Sequence, residues 1–130
     1  MAYYNRINQI KKTLDSIKCE NIIIVDDASD DKLEGINVIN IPKTEKYWLN
    51  DGTIPYNRGI EKALEMGADI IIIQNAECYH VGNVIKYAEE NTTDENYISF
   101  PCFSIGKDEN LEKAMNENHR AVLFDGDNGW

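Results

Sequence analysis

The sequence has no apolar run that approaches the roughly 20 residues a transmembrane helix needs. Its first residues, MAYYNRINQIKKTLDSI, lack the apolar stretch of a secretory signal peptide. Internal repeats, low-complexity tracts and linkers are also absent. These absences argue against a membrane-spanning or secreted protein. We therefore expect one domain over residues 1–130, in the cytoplasm or another reducing compartment.

Cysteine is scarce, and the three cysteines do not form a C-x-x-C pair: they are Cys19, Cys78 and Cys102. An odd number of widely spaced cysteines disfavours a disulfide framework or a zinc knuckle. Free and mostly buried thiols fit the pattern better, and they agree with a reducing compartment.

Clusters of basic residues are also missing. The chain has 13 Lys and Arg against 23 Asp and Glu, which gives a formal net charge of −10. Because nucleic acids are bound through grouped Lys and Arg, no nucleic-acid partner is expected. A small anionic ligand stays possible, since a helix N-terminus or a bound cation can receive phosphate.

What the sequence does have is an alternation of β-branched runs and amphipathic segments. Helices are predicted at 7–17, 55–67 and 81–91, with a short polar one at 107–118, and strands at 21–27, 35–42, 68–74, 97–103 and 120–124. This order predicts an α/β three-layer sandwich, with a mostly parallel, Rossmann-like sheet between two layers of helices. Ligands of such sheets bind at the carboxyl ends of the strands.

Asp26 and Asp27 end the first β-branched run, IIIVDDASDD. Adjacent side chains of an extended chain point to opposite sides, so one carboxylate can face a crevice while the other braces a loop. The crevice-facing group is suited to a base N–H or a cation. A plain turn or helix cap explains the same residues about equally well.

Asn75 and Glu77 follow the run IIIIQ and lie two residues apart. That spacing puts both side chains on one side of an extended segment, where their oxygens could hold Mn²⁺ or Mg²⁺ against a diphosphate. From these residues alone, a strand-end loop is favoured over a metal site. For His80 we expect a helix cap or a surface position, and for Cys78 a packed thiol.

Two further pairs are candidates for binding and catalysis. Asn57 and Arg58 are expected in the first turn of a helix, where free N–H groups and the guanidinium could meet a phosphate. Asp125 and Asp127, close to Trp130, could hold sugar hydroxyls and act as a general base. A solvated helix start and a polar turn are the respective alternatives.

Taken in order, these segments resemble a family 2 glycosyltransferase of the GT-A fold. That family has a Y-N-R segment leading into a TL-x-S-I helix, then VDDGS-x-D, an N-x-G…A…G helix and a D-x-D metal motif. The corresponding stretches here are AYYNRINQIKKTLDSI, IIIVDDASDD, YNRGIEKALEMGAD and IIIIQNAEC. The resemblance covers nearly the whole chain.

The resemblance implies a site for a nucleotide-diphosphate sugar, with a UDP-sugar favoured, and a Mn²⁺ or Mg²⁺ ion. By the match of motifs, Asp27 contacts the base with Asp26 nearby, and Asn75 and Glu77 take the D-x-D positions. The sugar would pass to a hydroxyl of a glycan or protein acceptor, with Asp125 or Asp127 as the base.

The sequence also departs from the family pattern. N-x-E replaces D-x-D, most of the family's first strand is absent before Tyr4, and the chain stops at Trp130 within the acceptor region. We therefore expect a domain truncated at both ends, with weak or no transferase activity.

Two alternatives remain. One is a degenerate receiver-like signalling domain, which also carries an acidic pair after an apolar strand. The other is a noncatalytic interaction module, in which a second copy of the chain fills the sheet position left open by the short first strand, giving a homo-oligomer.

Overall fold

A computed structural model describes residues 1–35, 37–47, 50–100, 102–104 and 121–123. The chain divides into two compact units. Unit 1 consists of Met1–Ile10 and Glu20–Ala76, and unit 2 of Lys11–Cys19 and Glu77–Trp130. The described part of the chain has an α/β fold, as predicted.

Unit 1 contains a three-stranded parallel sheet. Strands β1 (Ala2–Tyr3), β2 (Ile24–Asp26) and β3 (Val38–Asn40) lie in the order β1-β2-β3. On the free edge of β1, Ala2 forms a single parallel bridge with Asn75. The first strand is as short as expected. The sheet position that we expected to be open is nevertheless occupied by the chain's own β1.

Helix α2 (Thr53–Glu65) packs on this sheet. Gly59 approaches β2 so closely that a Cβ there would lie 3.4 Å from Cγ2 of Val25. The helix ends at Glu65, two residues before the predicted end at Gly67, and the Gly67 φ of 78° is in the left-handed region typical of a helix C-terminus. The Gly67 and Ala68 N–H groups donate back to the carbonyls of Leu64 and Ala63, which closes the last turn.

The predicted strand over residues 68–74 is wrong. In this stretch, all of which the structure describes, the isoleucines form no strand, and only Asn75 just after them pairs with a neighbour. Ile73 is 60% exposed and Ile71 36% exposed. Four consecutive isoleucines suggest a strand buried on both faces, but β1 is two residues long and offers little main chain for pairing.

Unit 2 contains a mixed sheet and the second half of α1 (Ile7–Ser16), the first helix of the chain. Strands β4 (Cys78–His80), β5 (Cys102–Ser104) and β6 (Ala121–Leu123) lie in the order β4-β6-β5, with β4 antiparallel and β5 parallel to β6. Helix α3 (Val84–Asn91) lies within the helix predicted at 81–91, and it follows β4, a strand that was not predicted.

The expectation of a helix cap or a surface position for His80 is wrong. It lies in β4 and is 7% exposed, and its main-chain N–H donates to Oγ of Ser16 at 3.0 Å. Burial lowers the pKa of His80 below its ordinary value of 6.5. The cap of α3 is instead Asn83, whose side chain accepts from the Lys86 N–H.

Among the described residues, no helix is both long and apolar enough to cross a membrane. The polar helix predicted at 107–118 lies outside the described residues.

Candidate functional site

The aspartate pair lies at the carboxyl end of β2, in unit 1, and both side chains are buried. Oδ1 of Asp26 accepts from the Ser29 N–H at 2.9 Å and so closes the turn after the strand. Oδ1 of Asp27 accepts from the Tyr47 N–H at 2.9 Å. The two carboxylates therefore hold two different segments, and Asp26 is the one that braces its own loop.

The second oxygen of each carboxylate is buried and has no hydrogen-bond partner among the described residues. Leaving such a group unpaired costs about 1–3 kcal/mol, more when it is charged. Burial raises the pKa of the nearby Tyr3 hydroxyl, and the Asp26 charge raises it further. Unpaired buried oxygens at a strand end are a reason to look for a donor that a ligand would supply.

The loops after β1 and β2 are held together by backbone and side-chain hydrogen bonds. The Asn5 N–H donates to Oγ of Ser29 at 2.8 Å. Asn5 and Ala28 both have left-handed backbones, with φ of 51° and 65°. In the VDDGS motif of the resembled family, glycine stands where this chain has Ala28, and glycine adopts this conformation without strain.

Residues 43–47, which follow β3, contact these loops at several points. We call this segment the strap. Nζ of Lys43 lies 2.7 Å from Oδ1 of Asp30, and it lowers the pKa of that carboxyl. Nζ of Lys46 lies 3.6 Å from the centre of the Tyr4 ring. No helix or strand was predicted from the sequence over these residues, and residue type alone gave no sign of these contacts.

Asn57 and Arg58 are not in the first turn of their helix, so that prediction is wrong. Helix α2 begins at Thr53, which puts both residues in the second turn, where their N–H groups lie within the helix. At the start of α2, Asp51 accepts hydrogen bonds from the N–H groups of Thr53 and Ile54. Pro55, the next residue, has no N–H group.

The Arg58 side chain also has a partner. Its Nη2 lies 3.0 Å from Oε2 of Glu45 and 3.4 Å from the Tyr47 hydroxyl, both in the strap. A phosphate would therefore have to compete with Glu45 for the guanidinium. Arg58 lies beyond the first turn of α2. A phosphate bound to its guanidinium would therefore not also meet the free N–H groups of the helix start.

Asn75 and Glu77 belong to different units, because the chain divides between Ala76 and Glu77. Oδ1 of Asn75 accepts from the Tyr56 hydroxyl at 2.8 Å. The described part of the chain contains no group of three or more His, Cys, Asp or Glu side chains suited to a metal ion. These residues therefore fit a protein-held Mn²⁺ or Mg²⁺ poorly, since such ions take about six oxygen ligands.

Asp125 and Asp127, the predicted catalytic pair, lie outside the described residues. Comparisons of the chain with protein-family models, curated proteins and solved structures found no match. The arrangement in unit 1 is therefore the basis for a functional assignment.

Proposed function

We propose that the chain is a domain of the family 2 glycosyltransferase type that binds a nucleotide-diphosphate sugar, with a UDP-sugar as the favoured donor. The observation that carries this proposal is the Asp27 carboxylate. It lies buried at the carboxyl end of β2, with Oδ2 unpaired among the described residues. An N–H group of a nucleobase is a donor of the required kind.

The order of the sheet supports a nucleotide site. The described sheet of unit 1 has the order β3-β2-β1, with the single Ala2–Asn75 bridge on the outer edge of β1. Dinucleotide-binding sheets contain the same 3-2-1 order, and their ligands lie beyond the carboxyl ends of the strands. Tyr4, Asn5 and Asp27 follow the strands at this end. A receiver-like sheet has β1 between β2 and β3, whereas β2 is central here, which favours the transferase-like proposal.

The surrounding side chains suit the remaining parts of such a ligand. The Tyr4 ring offers a flat surface for a base, on which Lys46 now lies. Three cations, Lys43, Lys46 and Arg58, lie in this part of unit 1, where Lys43 is paired with Asp30 and Arg58 with Glu45. A diphosphate would take the place of these carboxylates as the partner of the cations.

A divalent cation would be held mainly by the diphosphate itself. Asn75 in unit 1 supplies one amide oxygen, which is already bonded to Tyr56. The resemblance also assigns the Glu77 carboxylate to the cation. When bound, the cation supplies positive charge for the departing diphosphate. For the general base that deprotonates the acceptor hydroxyl, we propose Asp125 or Asp127.

A noncatalytic nucleotide-binding module is the second candidate. It is favoured by the hydrogen bonds that already engage Asn75 and Arg58 within unit 1. Hydrolysis or transfer of a UDP-sugar separates the two, since only a transferase consumes the donor.

The test is calorimetric titration with UDP, ADP and GDP, with and without Mn²⁺. We expect binding of UDP that Mn²⁺ strengthens. Absence of binding by all three nucleotides rejects both nucleotide-binding candidates.

A further inference from the structure

We propose that the strap, residues 43–47, is a displaceable cover that competes with the ligand for Asp27 and must open before a nucleotide binds. The inference rests on the proposed function only for the identity of the ligand. The opening of the strap is a property of the free protein and can be measured without any nucleotide.

The strap contacts the rest of unit 1 through four of its five residues. The Tyr47 N–H donates to Asp27, and Lys43 pairs with Asp30. Lys46 lies over the Tyr4 ring, and Glu45 pairs with Arg58. The partners lie after β1, after β2 and in α2, which are the residues to which we assign the nucleotide.

Apart from the part-buried hydrogen bond between the Tyr47 N–H and Asp27, the strap is held in place by exposed contacts. Its 3₁₀ turn, Lys43–Glu45, has no buried residue, and the side chains of the Lys43–Asp30 pair are 69% and 67% exposed. Exposed ion pairs contribute little and are screened by salt. Segments with few buried contacts open locally without global unfolding. Ile41, buried before the strap, fixes one end of it.

The closed strap is incompatible with full use of the Asp27 carboxylate by a ligand. Oδ1 is taken by the Tyr47 N–H, and Oδ2 is buried. A ligand that reaches these oxygens must therefore move a segment of the protein, and the strap is the segment that is bonded to Oδ1. Its affinity is then reduced by the fraction of molecules in which the strap is open.

Hydrogen exchange of the Tyr47 amide measures the opening directly. The comparator is the Val25 amide, which donates to the Met1 carbonyl from a fully buried residue of β2. We expect Tyr47 to exchange faster than Val25, and Glu45→Gln to accelerate Tyr47 by about two- to fivefold, the equivalent of one exposed ion pair.

Glu65→Gln is the matched control, because it removes an exposed pair with Lys62 on α2 away from the strap. It should leave the Tyr47 rate unchanged. Equal effects of the two variants on Tyr47, or exchange of Tyr47 only together with Val25, would overturn the inference.

Titration with UDP is the second experiment that tests the strap. Saturating UDP should accelerate exchange of the Tyr47 amide, and Glu45→Gln should bind UDP more tightly than the parent by the factor that it gains in opening. Slower exchange of Tyr47 with UDP bound would contradict the strap while leaving nucleotide binding intact. If UDP binds no form of the protein, the proposed function fails and the exchange rates of the free variants decide the strap.

Discussion

Asn5 and Asp30 exchange two hydrogen bonds across the carboxyl end of the unit 1 sheet. The Asp30 N–H donates to Oδ1 of Asn5 at 2.8 Å, and Nδ2 of Asn5 donates to Oδ2 of Asp30 at 3.1 Å. These bonds join the loop after β1 to the loop after β2, and so fix the positions of Tyr4 and Asp27 relative to each other. The position of the candidate site depends on this link.

The Asn5 backbone has a φ of 51°. Two substitutions at this residue separate the contribution of its side-chain hydrogen bonds from that of backbone strain. Asn5→Gly removes the side-chain hydrogen bonds but keeps the left-handed conformation accessible, whereas Asn5→Ala removes the bonds and adds backbone strain. We expect both to lower the free energy of unfolding, and Ala to lower it by about 1 kcal/mol more than Gly. Urea denaturation of the two variants measures the difference; equal stabilities would show that the backbone strain is not significant.

Tyr56→Phe should strengthen the effect of Mn²⁺ on nucleotide binding. The change removes the hydroxyl that now donates to Oδ1 of Asn75, which frees an oxygen for a cation. We expect the Mn²⁺-dependent gain in UDP affinity to rise by a few-fold, the equivalent of about 1 kcal/mol. Tyr87→Phe, on α3, is the control. No change on Tyr56→Phe would count against Asn75 as a ligand.

Glu77→Ala tests the other half of the same motif. If Glu77 adds a carboxylate to a cation held mainly by the diphosphate, its removal should weaken the Mn²⁺-dependent part of UDP binding and leave the metal-independent part unchanged. Calorimetry with and without Mn²⁺ separates the two parts. Full retention of the Mn²⁺ effect would show that Glu77 is not a ligand of the cation.

The stability of the folded protein should fall in mild acid because of His80. Its folded-state pKa lies below the ordinary 6.5, so the unfolded chain takes up a proton first as pH falls. The contribution of neutral His80 is complete above pH 6.5 and is lost as pH falls through the lowered folded-state pKa. Denaturation at several pH values should give a shallower pH dependence for His80→Gln than for the parent. Identical pH dependences would exclude His80 as the source.

The sequence predicted the features that depend on local periodicity and on capping. The amphipathic pattern indicated helix α1, and Gly67 marked the end of α2, because both are set by residues adjacent in the chain. Asp26 and Asp27 were found in the same way, from a β-branched run that stops at two acids.

The features that the sequence missed depend on distant partners. Ile71 and Ile73 have strong strand propensity, but a strand also needs a neighbour, and β1 is too short to provide one. The contact of Tyr47 with Asp27 spans 20 residues and uses a main-chain N–H, which leaves no trace in residue type. Helix α2 starts before Pro55 because Asp51 satisfies the first N–H groups, a detail invisible to periodicity.

The most direct measurement is the UDP affinity of Asp27→Asn compared with Asp31→Asn. The side-chain oxygen that Asp27→Asn retains can still accept from the Tyr47 N–H, so the fold and the strap are kept. The second carboxylate oxygen is replaced by an NH₂ group that cannot accept from a base. Asp31, exposed in the same loop, controls for the loss of charge.

We predict that Asp27→Asn weakens UDP binding at least about tenfold and that Asp31→Asn leaves it within about twofold. Equal affinities of the two variants would contradict the assignment of Asp27 to the nucleobase.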